Sequence, residues 1–174
     1  MRIKRSIAVV GLLPLCLAGG FVPRASGEVI APRAANAESH LVSLSGTLKL
    51  NDHETFGSDE HAEITIQEQT YVSHSRPRNA IVVDRCVGGE VRGQLIVDLK
   101  LRADDSVVVS PVLNLYEGSS CITTDLDGRV RGNPFALPKG WSVSWNDFKT
   151  HNRAEGVSRD WASVDFTVTQ TVRG

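Results

Sequence analysis

The chain has 174 residues, 41% of them hydrophobic and 22% charged, with a formal net charge of −1. That length fits one domain of ordinary size once a leader is removed. A chain with no basic excess is poorly suited to nucleic acid or an anionic membrane as its main partner.

The N-terminus has the layout of a secretory signal peptide. Arg2, Lys4 and Arg5 precede the apolar run SIAVVGLLPLCLAGG, which is too short for a membrane span of about 20 apolar residues and is broken by Pro14. Ala25-Ser26-Gly27 and Ala35-Asn36-Ala37 both offer small residues for cleavage, so the leader is expected over residues 1–27, with the cut as late as 37. A cut after Gly27 leaves 15 basic and 20 acidic residues, and one after Ala37 leaves 14 and 19, so the mature charge is −5 either way. Cys16 follows Leu13-Pro14-Leu15 rather than the small residues of a lipoprotein site, and reads as part of the leader. Residues 28–40, EVIAPRAANAESH, show no period and read as linker or propeptide. A single domain is expected over 41–174, with no transmembrane anchor after processing.

From there the period is two, the signature of half-buried strands. Leu44, Leu48 and Leu50 share one face of LSGTLKL, and Ala62, Ile64 and Ile66 share one face of HAEITIQ. Residues 80–83 form a short continuous apolar run. In VRGQLIVDLKL, Val91, Gly93, Leu95, Val97, Leu99 and Leu101 alternate with mostly polar neighbours, the pattern of an antiparallel sheet with one wet face. Residues 107–116 form another strand, which Pro111 should restrict to an edge or a bulge. CITTDLDGRV reads as a strand running into a turn at Asp127-Gly128. Trp141, Val143 and Trp145 alternate with polar residues. In DWASVDFTVTQTV one face holds Ala162, Val164, Phe166, Val168 and Val172. These are about eight strands with no sustained helical period. The expected fold is all-β, a two-sheet antiparallel β-sandwich of the jelly-roll or another Greek-key type, with a closed barrel as the structural alternative.

Cys86 and Cys121 are the two cysteines outside the leader, and in an exported chain they most simply form one disulfide. It would close a loop of 36 residues counting both ends, which stabilises by about 3–4 kcal/mol in the chain-entropy model.

The stretch NDHETFGSDEH, between two strands, offers Asn51, Asp52, Glu54, Asp59 and Glu60 as oxygen donors. Calcium takes six to eight oxygens, so neighbouring loops would have to contribute. Asp125 and Asp127 are candidates, as are Asn152, Glu155 and Asp160. In layout alone, this multi-loop arrangement resembles the calcium-binding end of C2-type sandwiches. The plainer reading of the same residues is a set of solvated loops, with Asp127-Gly128 a hairpin turn, which become a calcium site only if Asp125, Asp127 or Asp160 folds up beside the stretch. Zinc fits the stretch poorly, because His53 and His61 are eight apart across a loop.

Trp141 and Trp145 share a face about 13 Å apart, from roughly 3.3 Å per residue. They are expected in the core stripe with Val143 rather than on a sugar-binding face. Trp161 shares its face with Ser163, Asp165 and Thr167, so it is the candidate for glycan contact. No G-x-S-x-G elbow is present, and scattered His40, His74 and His151 make no recognisable constellation.

The sequence therefore predicts a secreted protein, extracellular or at the cell surface, without catalytic residues. Its expected role is binding or surface interaction with a glycan or protein, with calcium at Asp52, Glu54, Asp59, Glu60, Asp125 and Asp127. The alternatives are a carbohydrate-binding module using Trp161 or the Trp141/Trp145 pair, and a small extracellular hydrolase with no recognisable motif.

Overall fold

The computed structural model describes residues 38–53, 58–153 and 160–173. The expected leader and most of the expected linker lie outside them, as do Glu54 and Glu155. No helix is present among the described residues, and so none long and apolar enough to cross a membrane.

Among the described residues nine strands run in chain order: β1 Ser39–Asp52, β2 Glu60–Ser73, β3 Arg78–Val87, β4 Val91–Leu101, β5 Val107–Tyr116, β6 Leu126–Arg131, β7 Phe135–Leu137, β8 Ser142–His151 and β9 Trp161–Arg173. They form two antiparallel sheets. One has the order β2-β1-β9-β8. The other has the order β3-β4-β5-β6, with β7 also paired to β5. Ser39 and His40, which carry no apolar period of their own, open β1 rather than belonging to the linker.

Both sheets feed one core. Val42, Leu44, Leu48 and Leu50 of β1 and Val164, Phe166 and Val168 of β9 come from the first sheet. Leu95, Val97 and Leu99 of β4 and Val109, Leu113 and Leu115 of β5 come from the second. Within each strand these residues are two or four apart, so each strand turns its apolar side chains to one face.

Three departures from simple alternation have local causes. Pro111 lies in β5, which is interior rather than at an edge. Its carbonyl accepts from Gly132 N at 2.9 Å, in the gap between the stretches paired with β6 (Val112 onward) and β7 (up to Val109). A residue's N–H and C=O point to the same side of a strand, so the donor that proline lacks falls in that gap and breaks no ladder.

In β8, Trp145 pairs with Phe166 but Phe148 pairs with Val164, so two residues, Asn146 and Asp147, oppose the single Asp165. This is a β-bulge. Asp147 has φ of 50°, and its N–H donates to Asp165 Oδ1 at 2.7 Å. The extra residue changes the parity, so Trp145 and Phe148 both face inward against Phe166, with ring centroids 4.9 and 6.1 Å away.

Trp141 corrects the expected core stripe. It is 63% exposed, because β8 pairing begins at Ser142↔Thr169 and the tryptophan precedes it in a turn where its N–H donates to Pro138 O. Trp145 and Val143 pack against the core as expected.

Candidate functional site

The expected disulfide is present. Cys86 at the end of β3 is bonded to Cys121, with Cα atoms 5.8 Å apart, an ordinary separation for such a bond. It anchors the loop between β5 and β6 to the second sheet. Arg92 of β4 adds a second tie through its guanidinium, 2.6 Å from Thr123 O. Thr123 Oγ1 donates in turn to Glu117 O at 3.2 Å. The segment leading to Asp125 and Asp127 is thus tied to β3 and β4.

Asp52 ends β1, Glu60 begins β2, Asp127 lies at the start of β6, and Asp160 immediately precedes β9. Antiparallel pairing puts all of these strand ends at one end of the sheets. Asp160 is buried, and its Oδ1 accepts the main-chain N–H of His53 at 2.7 Å, tying the β8–β9 connection to the β1–β2 loop. Asp127 O accepts Arg153 N at 3.2 Å, and Asp127 Oδ2 accepts Glu117 N at 3.0 Å. Asn152, also buried, donates its amide to Glu117 Oε2. Three loops distant in sequence are therefore laced together at one end.

The electrostatics follow from this crowding. Burial pushes the Asp127 carboxyl above the usual carboxylate range, and the charges of Asp125 and Asp160 push it the same way. The Glu117 N–H pulls it down by less. Burial and like charge both disfavour the ionised form.

The candidate acids differ in their settings. Asp52 is buried against the β3–β4 turn. A Cβ on Gly88 would come within 1.8 Å of Asp52 Oδ2, and Gly88 itself has φ of 65°, so only glycine fits there. Asp59 is exposed and pairs with His53 Nδ1 at 2.6 Å. Glu60 and Asp125 are exposed. Among the described residues, no three of these acids bring carboxylate oxygens within 4.8 Å of one another. They line the rim of one region rather than meeting at a point. Asp160 takes its place in the set that sequence singled out, and Glu117 joins it, having given no signal beyond a place beside Gly118.

Trp161 is half-buried at the same end, on the outer face of the first sheet. It lines a shallow recess of about 260 Å³ with Lys49, His61 and Glu63. Lys149 Nζ lies 4.3 Å from its ring centroid, so one ring face already carries a cation–π contact.

Comparison with protein-family models, curated proteins and solved structures returns no match for this chain.

Proposed function

We propose that the chain is an exported β-sandwich of Greek-key type, without catalytic activity, that serves as a binding or surface-interaction module with calcium stabilising its acidic end. The observation that carries this reading is the Asp160–His53 hydrogen bond at 2.7 Å. It brings an acid from the β8–β9 connection onto the β1–β2 loop, beside Asp127, whose carboxyl registers the charge of Asp160. A set of acids whose mutual repulsion is built into the fold is relieved when a cation shares their oxygens. Asp160 and Asp127 use other oxygen lone pairs to hold main-chain amides, a scaffolding role that leaves capacity for a metal.

The Greek-key assignment rests on the strand order. The hairpins β1–β2 and β8–β9 join in one sheet through β1–β9, while β3, β4 and β5 run as a meander in the other. The Cys86–Cys121 bond suits an oxidising compartment, and the basic head and apolar run of the N-terminus suit export.

Thermal melting of chelator-treated, desalted protein with added calcium tests the reading. A ligand that binds only the folded state at 100 times its dissociation constant stabilises by about 2.7 kcal/mol, which in a domain of this size raises Tm by several degrees. Asp160→Asn should abolish the rise. A Tm unmoved by millimolar calcium would remove the calcium assignment.

A further inference from the structure

At the opposite end of the sheets three side chains from three separate segments converge. His40 is the second residue of β1, His74 follows β2 in a tight turn, and Asp105 lies in the β4–β5 turn. His74 Nε2 is 2.9 Å from Asp105 Oδ1, and His40 Nε2 is 3.6 Å from the same oxygen. One ligand atom from each of the three lies within 4.8 Å of the others. We propose that His40, His74 and Asp105 form a binding site for a divalent transition ion of the zinc class.

The geometry is close to what such an ion needs. With bonds of about 2.0–2.2 Å at tetrahedral angles, ligand atoms sit about 3.4 Å apart. The His40–Asp105 separation is near that value, and the His74–Asp105 contact must open by about half an ångström, which an exposed side chain does at little cost. Two imidazoles and one carboxylate suit zinc and its neighbours rather than calcium or magnesium.

A second observation points to a ligand. His40 is fully buried, yet its Nε2 has no hydrogen-bond partner among the described residues. A buried polar nitrogen aimed at a carboxylate beyond hydrogen-bond range costs free energy unless something bridges the two. His74 is 56% and Asp105 36% exposed, so the site opens to solvent on their side, with His40 at its base.

Gln170 supplies the outer support and a coupled step. It is fully buried, its amide nitrogen donates to Asp105 O at 2.7 Å and faces His40 Nδ1 at 2.8 Å, and its Oε1 has no partner among the described residues. The Asp105 carbonyl fixes this orientation, so Nδ1 accepts and the neutral ring carries its proton on Nε2. Metal bonding at Nε2 moves the ring proton to Nδ1. The Gln170 amide then has to turn so that Oε1 accepts it, the arrangement metal-bound histidines favour. Asp105 O, which loses its donor, must draw back from Oε1.

The site can be tested by titrating cobalt(II) into chelator-treated, desalted protein and following visible d–d absorption, with zinc added as competitor. One equivalent should bind with a nitrogen- and oxygen-ligated spectrum that zinc bleaches, and NMR of the zinc-loaded protein should show the His40 ring proton on Nδ1. His74→Ala and Asp105→Asn should each weaken binding at least tenfold. Both positions are partly exposed, and asparagine tolerates the φ of 62° at Asp105, so unchanged melting curves would show that the variants fold. Asp160→Asn at the acidic end should leave cobalt binding intact, which keeps this result separate from the calcium assignment. Failure of the unaltered protein to bind cobalt, or binding by both His-site variants as tight as that of the unaltered protein, would overturn the proposal.

Discussion

Asp127 shows how a single residue sets the behaviour of the acidic end. Its raised pKa, caused first by burial and then by Asp125 and Asp160, means that the folded state holds the proton more tightly than the unfolded chain does. The stabilisation this gives is fully present below the ordinary value of 3.8, and is lost as pH rises through the higher folded pKa. Above that window the ionised carboxylate is a net liability unless a cation offsets it. Asp127→Asn retains an acceptor for Glu117 N–H and removes the charge. Relative to the unaltered protein, it should gain stability in chelator as pH is raised through that window, and respond less to calcium at neutral pH. Urea denaturation at a series of pH values checks both, and parallel curves for the two proteins would contradict the assignment. Some residues were legible in one dimension: two cysteines outside the expected leader left one simple pairing, and the period-two positions of β4, and of β9 from Ala162 to Val168, are the ones the core buries. His40 was not, because its partners His74 and Asp105 are 34 and 65 positions away and ligand-spacing rules detect only neighbours. Trp141 was misread for a different reason. Alternation assigns a face, but the first paired residue of β8 decides whether that face has anything packed above it.

The same distinction operates at the level of the strand. Alternation located the strands, yet the Asn146-Asp147 bulge, which carries Phe148 and Thr150 to the inner face, leaves no mark in the apolar pattern. Pro111 argued for an edge or a bulge, but β5 is interior, and the donor the proline lacks falls in the gap between β6 and β7. Glycines inside strands were equally ambiguous, and the structure separates two of them. A Cβ on Gly46 of β1 would lie 2.1 Å from Asp165 O and 2.7 Å from Phe166 Cα, so β1 and β9 would have to part. A Cβ on Gly93 of β4 would lie 2.3 Å from Leu50 Cδ2, the mobile tip of one side chain. Gly46→Ala should therefore cost about 3 kcal/mol, the upper part of the range for overpacked cores, and Gly93→Ala about 1 kcal/mol. Chemical denaturation of the two variants checks the order, and equal losses would show that the β1–β9 contact yields as easily as a leucine side chain.

Across the whole molecule, β1 separates the two candidate ion sites. His40 and Asp52 are twelve residues apart on one continuous strand, which is roughly 40 Å at 3.3 Å per residue. No charge interaction of consequence survives that distance at physiological ionic strength, where the screening length is about 8 Å. The sites draw on different donors, oxygen alone at one end and imidazole with carboxylate at the other, so each ion should select its own end. The sheets that join them share one core, however, and a fold that opens as a unit gains from either ion by the same mass-action rule. Stabilisation by calcium and by zinc should therefore add, with the increment from both ions matching the sum of the separate increments to within about 0.5 kcal/mol, as for distant independent sites. Denaturation with each ion alone and with both gives the three increments. A shortfall larger than that would mean that the ions compete for one end, or that the two ends unfold separately. Asp160→Asn distinguishes these cases. Competition at the acidic end predicts that this variant loses both ions' effects, whereas separate unfolding predicts that it loses only calcium's.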